Sequence, residues 1–153
     1  MNTKELKYTH GRTSVYNINY HIVWGTKYRN KWMTATIEDE LKDMFCQIAE
    51  EHEFSISHVE IGKDDYVHML VSAPPKISVT TIVSCLKGTS AFRFFRRHPE
   101  LKAMYWKSSD RHMWSPSYFV ESIGTVNEDA VAKYIDDQRI KETRGPGRPR
   151  KCK

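Results

Sequence analysis

Residues 54 to 72 read FSISHVEIGKDDYVHMLVS, and the alternation in this stretch decides the fold. Phe54, Ile56 and His58 share one parity, and Val59 and Ile61 shift it. Tyr66 to Ser72 is a second run of strand-forming residues, and Lys63-Asp64-Asp65 supplies the polar connection between the two. Ala73-Pro74-Pro75 closes the second strand, because proline cannot continue a ladder.

Working outward, Val15 to Trp24 alternates, with Tyr16, Ile18, Tyr20, Ile22 and Trp24 on one face and His21 on the other. From Thr36 to about Glu51 the apolar residues Ile37, Leu41, Met44, Phe45 and Ile48 recur at helical spacing. Downstream, Ser78 can cap a helix to about Arg97, with Val79, Ile82, Leu86, Phe92 and Phe95 as core positions and Pro99 as its stop. A long loop is then expected from Pro99 to Pro116, carrying Trp106, His112 and Trp114. Tyr118 to Ile123 reads as a strand closed by Gly124, and Asn127 caps a last helix to about Lys141. The order β, α, β, β, α, β, α gives an α+β protein with a ferredoxin-like βαββαβ core. It has an antiparallel sheet with helices on one face, a C-terminal helix and a basic tail.

The 153 residues suit one domain, read as 13–142, after a flexible N-terminus at 1–12 and before a basic disordered tail at 143–153. No apolar run is long enough for a membrane span, and the polar start lacks a signal core. The expectation is a soluble, cytoplasmic protein. Its three cysteines are far apart and form no CxxC pair, which reads as reduced thiols and argues against a cysteine-built zinc site. The formal charge of +5 is uneven: Arg139 to Lys153 holds seven Lys/Arg and one Glu, so the rest is nearly neutral. A basic appendage of that kind suits a polyanionic partner. Gly147-Arg148-Pro149-Arg150-Lys151 has the composition of a minor-groove arm with nonspecific phosphate affinity.

Two constellations carry polar chemistry. On a strand, Tyr66 and His68 face the same side while Val67 faces the core. Pattern alone reads this as a strand with one hydrogen-bonded histidine. In Lys133-Tyr134-Ile135-Asp136-Asp137-Gln138, Tyr134 and Gln138 stack one helical turn apart beside the apolar stripe of Val131 and Ile135. Pattern alone reads that tyrosine as packing.

Several segments together resemble the TnpA-type single-tyrosine transposases of small insertion sequences, whose mark is a histidine-hydrophobic-histidine (HUH) segment. Asp65 to Val71 with Pro74-Pro75 resembles the HUH segment. Tyr20 to Trp24 with Thr26 to Arg29 resembles the first strand and its exit, and Leu86 to Ser90 the central helix. Trp114 to Gly124 resembles the late strand, and Tyr134 to Gln138 the nucleophile helix. The resemblance spans roughly residues 14 to 140, in the family's order.

It implies a DNA transposase that cleaves and rejoins single-stranded DNA through a 5′-phosphotyrosine intermediate, recognises DNA hairpins and works as a homodimer, with active sites that subunits can share. It implies Tyr134 as nucleophile, and His68 and Gln138 as ligands of Mg2+ or Mn2+, an ion that polarises the scissile phosphodiester. The family's first histidine is Tyr66 here. Tyr66 itself, Asp65 or Asp64, or additional water are the candidate replacements, and an impaired metal site is the other alternative. Lys27, Arg29, Lys87, Arg93 and Arg97 are candidate DNA contacts, against the plainer reading of a solvated charged face. Two other functions stay open: a catalytically impaired or domesticated hairpin-binding derivative, and an RNA-binding ferredoxin-like module.

Overall fold

The computed structural model describes residues 8–27, 33–62, 65–107, 112–124 and 127–140. The chain runs β1 (Thr9–His10), β2 (Val15–Tyr16), β3 (Asn19–Gly25), α1 (Ala35–Glu51), β4 (Ser55–Ile61), β5 (Tyr66–Ser72), α2 (Val79–Arg97), α3 (Pro99–Lys107), β6 (Phe119–Ile123) and α4 (Glu128–Ile140). β4 and β5 pair antiparallel, as the central run predicts. The four-stranded sheet has the order β4-β5-β3-β6, antiparallel throughout, which is the ferredoxin-like arrangement.

Alternation sorts the side chains into two layers. Ile22 and Trp24 of β3 and Val67, Met69 and Val71 of β5 meet α1 and α2 in one core, with Leu41, Phe45, Ile48, Ile82, Leu86 and Phe94. The opposite face carries α4, where Ile135 packs on Leu70 and Ile123, flanked by Val131 and Ala132. The parity shift in β4 is a register irregularity between Ile56 and His58. The extra residue lets Ile56 and Val59 both face the core.

Both long helices begin at side-chain caps. Thr34 Oγ1 accepts from the Ile37 amide at 3.3 Å and Ser78 Oγ from the Thr81 amide at 3.1 Å. Ser78→Ala is expected to lower folding stability by about 1 kcal/mol, read as a lower midpoint in urea unfolding. An unmoved midpoint would leave the cap without energetic weight.

Three expectations need correction. The strand read over Val15 to Trp24 breaks at Asn17-Ile18, leaving Val15–Tyr16 to pair with Thr9–His10 in a separate hairpin. Pro99 ends α2 but also opens α3, so much of the expected long loop is helical. Proline is well suited to a first helical turn, where its missing N–H has no partner to lose. Phe92 is 63% exposed, and Phe94 with Phe95 fills the core position instead. Cys85 is a free thiol, as its place in the sequence suggests.

Among the described residues, no helix is long and apolar enough to cross a membrane. Arg29, Asp64 and the tail at 143–153 lie outside the described residues.

Candidate active site

The sheet face under α4 gathers the polar side chains. In register, Val23 pairs with His68, His21 with Leu70 and Gly25 with Tyr66. On the other side His21 pairs with Glu121. Cross-strand partners share a face, so His21, His68 and Glu121 all stand on the side of α4. Seating Ile135 on Leu70 and Ile123 leaves the preceding residue, Tyr134, above the two imidazoles. Its ring centroid is 6.0 Å from that of His68 and 6.1 Å from that of His21, both edge to face. The two imidazoles lie 5.9 Å apart with planes inclined by 23°.

The sequence points to His68 and Tyr134, and the fold places their rings in contact. His21 is the residue that sequence reasoning undervalued. It is 7% exposed, and its Nδ1 donates to the Glu121 carboxylate at 3.1 Å. Its Nε2 is buried with no hydrogen-bond partner among the described residues. Its parity in β3 was the available signal, because it faced away from Tyr20 and Ile22.

A cavity of about 510 Å3 opens beside this group, lined by His21, Phe119, Glu121, Asn127 and Tyr134 among others. Gln138 lies one turn beyond Tyr134, and its amide Nε2 donates to the Tyr134 carbonyl at 3.4 Å. At the other edge of the sheet, His58 Nδ1 and Asp136 Oδ1 join β4 to α4 at 3.0 Å.

Tyr66 is 40% exposed and its ring lies against Gly25. A Cβ at position 25 would stand 3.1 Å from the Tyr66 Cε1 atom, so glycine makes room for the ring. Asp65 has φ 61° and its amide donates to the Gly62 carbonyl at 2.9 Å. It belongs to the turn, so the face expected of it in a regular strand does not apply.

Of the basic residues, Lys27 and Lys87 line a second cavity of about 350 Å3 with His112 and Trp114. Lys87 Nζ donates to the carbonyls of Ser115 at 2.6 Å and Ser117 at 3.1 Å, fastening the approach to β6 onto α2. Burial pushes the pKa of its ammonium down. Arg93 holds the Glu51 carboxylate at 2.7 and 3.0 Å, and Arg97 reaches Glu40 at 3.4 Å. Those two arginines tie α2 to α1. Trp114 is a buried anchor, donating Nε1–H to Ser90 Oγ at 2.9 Å. Tyr105 is buried, and Trp106 packs edge-on against Phe95 at 5.8 Å.

Among the described residues, no three His, Cys, Asp or Glu side chains are grouped to hold a metal ion. The donor chemistry beside Tyr134 nonetheless fits a divalent cation that keeps several waters. Two imidazoles share one face, and one of them turns a buried, unpartnered nitrogen away from its carboxylate.

The profile described as Transposase IS200 like matches residues 14–138. The ISDra2 transposase TnpA of Deinococcus radiodurans is 35% identical over 132 residues, covering 86% of this chain and 91% of that protein. The transposase for insertion sequence element IS200 of Salmonella typhimurium is 28% identical over 130 residues, covering 85% and 82%. Among solved structures, a Deinococcus radiodurans R1 protein described as a transposase superposes with a TM-score of 0.66 at 35% identity, over 85% of this chain and 97% of that one. A REP-associated tyrosine transposase bound to a REP hairpin superposes with a TM-score of 0.61 at 12% identity, over 90% and 75%, and bears on the fold alone. With the profile spanning the whole sheet and the helix that carries Tyr134, the chain belongs to the IS200-like, TnpA-type single-tyrosine transposases.

Proposed function

We propose that this protein cleaves and rejoins single-stranded DNA at a site built from Tyr134, His68 and Gln138. The observation that carries the reading is the 6.0 Å contact between the rings of Tyr134 and His68, delivered from a helix and a strand far apart in sequence. The Tyr134 hydroxyl attacks the scissile phosphorus and the P–O3′ bond breaks. The DNA leaves with a free 3′-hydroxyl, and its 5′-phosphate remains on Tyr134 as a phosphodiester. A 3′-hydroxyl attacking that link reverses the step and restores the phenol, which is both nucleophile and leaving group.

His68 and the Gln138 side-chain carbonyl are the groups that would hold Mg2+ or Mn2+. Such an ion would neutralise charge building on the phosphoryl oxygens. Asp136, bonded to His58, keeps α4 on the sheet so that Tyr134 stays over the imidazoles. Lys27 and Lys87, on one cavity wall, are candidates for phosphate contact, as are Arg93 and Arg97 on α2. The partner is single-stranded DNA folded into hairpins, as membership of the IS200-like transposases implies. A homodimer with shared active sites is part of the same proposal, as is a basic tail that adds nonspecific phosphate affinity.

The test is incubation of the full chain with labelled hairpin-forming oligonucleotides taken from the DNA flanking its gene, with Mn2+ or Mg2+. A protein–DNA adduct that survives denaturation is the expected result. Hairpin binding with no adduct would replace this reading with a second one, a noncatalytic hairpin-binding derivative, which the tyrosine at position 66 favours. Preference for RNA would sink both.

Tyr66→His places an imidazole where the resemblance expects one, two residues from His68 on the same face. It is expected to tighten Mn2+ binding severalfold, measured by calorimetric titration. No change in affinity or cleavage would mean that the tyrosine is not a defect.

A further inference from the structure

The tyrosine at position 66 leaves β5 with one imidazole, yet the face under α4 holds two. We propose that His21, oriented by Glu121, supplies the second imidazole of the cation site beside His68. The proposal rests on the transposase reading for the purpose of the ion, and on the geometry of β3, β5 and β6 for its residues.

Three observations carry it. First, the Glu121 carboxylate accepts from Nδ1 at 3.1 Å, which fixes the tautomer and leaves the lone pair on Nε2. A carboxylate on the far nitrogen is the usual outer-shell arrangement of a metal-bound histidine. Second, Nε2 is buried without a hydrogen-bond partner among the described residues. A group left that way costs folding free energy unless something binds it. A histidine serving only as packing gains nothing from that cost. Third, the spacing fits. A metal–nitrogen bond of about 2.1 Å puts an imidazole centroid about 3.2 Å from the ion, so two rings sharing an ion lie within about 6.4 Å. His21 and His68 are 5.9 Å apart. The neighbouring cavity of about 510 Å3, lined by both His21 and Tyr134, has room for the waters and phosphate oxygens that complete the shell.

Tyr66 is the poorer candidate on the same face. A neutral phenol is a weak donor, and this ring lies against Gly25. Imidazole donors also set a preference among ions, since they favour Mn2+ over the harder Mg2+.

The experiment is a calorimetric titration of the full chain with Mn2+, without DNA, paired with pulsed electron paramagnetic resonance that counts coupled imidazole nitrogens. The wild-type protein should show two imidazoles and bind Mn2+ more tightly than Mg2+. His21→Ala should leave one imidazole and weaken Mn2+ at least tenfold. Glu121→Gln, an exposed change on β6 that spares the core, should weaken Mn2+ severalfold and keep the proposal testable if His21→Ala fails to fold. Tyr66→Phe should stay within twofold of wild type. Two imidazole couplings surviving in His21→Ala, full affinity in Glu121→Gln, or a loss in Tyr66→Phe as large as in His68→Ala would each overturn it. So would a wild-type chain that binds no Mn2+. A chain that binds Mn2+ through both imidazoles yet forms no DNA adduct would leave this inference standing and remove the transposase reading.

Discussion

Tyr134→Phe is expected to abolish the covalent protein–DNA adduct, a loss of at least about a thousandfold in the rate of strand cleavage. The substitution removes one oxygen and keeps the ring that meets both imidazoles edge to face. Tyr134 is 49% exposed, and Ile135 is the residue that docks the helix. Folding stability should therefore stay within about 0.5 kcal/mol of wild type, as for other surface changes. DNA affinity should also persist, since the hydroxyl is needed for bond formation and not for phosphate attraction. Denaturing gels with labelled hairpin DNA, read beside a binding titration, separate the two effects. An adduct that forms undiminished in the phenylalanine variant would assign the chemistry to another nucleophile.

Lys42→Ala is expected to be severely destabilising. Lys42 on α1 and Glu60 on β4 are both buried, and they meet at 2.6 Å. Taking away the ammonium leaves the carboxylate in a poorly solvated place without its counter-charge, which costs about 3–5 kcal/mol in comparable pairs. A domain this size is typically stable by only about 5–15 kcal/mol. The double change Lys42→Met with Glu60→Leu removes both desolvation costs and should recover most of the loss. Urea unfolding of the three variants measures this, and a single variant as stable as the double one would refute it. Glu60 also pairs in register with His68, so the single change should disturb the proposed site under α4.

Local patterning made much of the fold legible. The parity shift at Val59 marked the bulge, Ser78 marked the start of α2, and Tyr66 to Ser72 marked β5 to the residue. What stayed hidden depends on contacts between distant parts of the chain. Alternation put His21 on the correct face, but its nearness to His68 and Glu121 follows from strand register, with partners about 50 and 100 residues away. Periodicity offers Arg93 and Arg97 as DNA contacts or as a solvated charged face, and it does not reveal that Glu51 and Glu40 pair with them. Proline at position 99 was read as a stop, although the same ring that ends one helix can start the next. Phe92, Phe94 and Phe95 crowd a single turn of α2, and an apolar count does not say which of them meet the core.

The helix bearing the tyrosine is attached quite differently from the two on the other side. α1 and α2 share one large apolar core with the sheet, whereas α4 seats Ile135 on Leu70 and Ile123 in a separate cluster and is joined to β4 by the His58–Asp136 bond. That footing is separate from the main core, so α4 can open locally with the main core intact, because local opening requires only the contacts of the departing piece. Under the proposed chemistry Tyr134 would thus ride on a detachable arm, which would let it carry a linked DNA end away from one set of imidazoles and set it down on another.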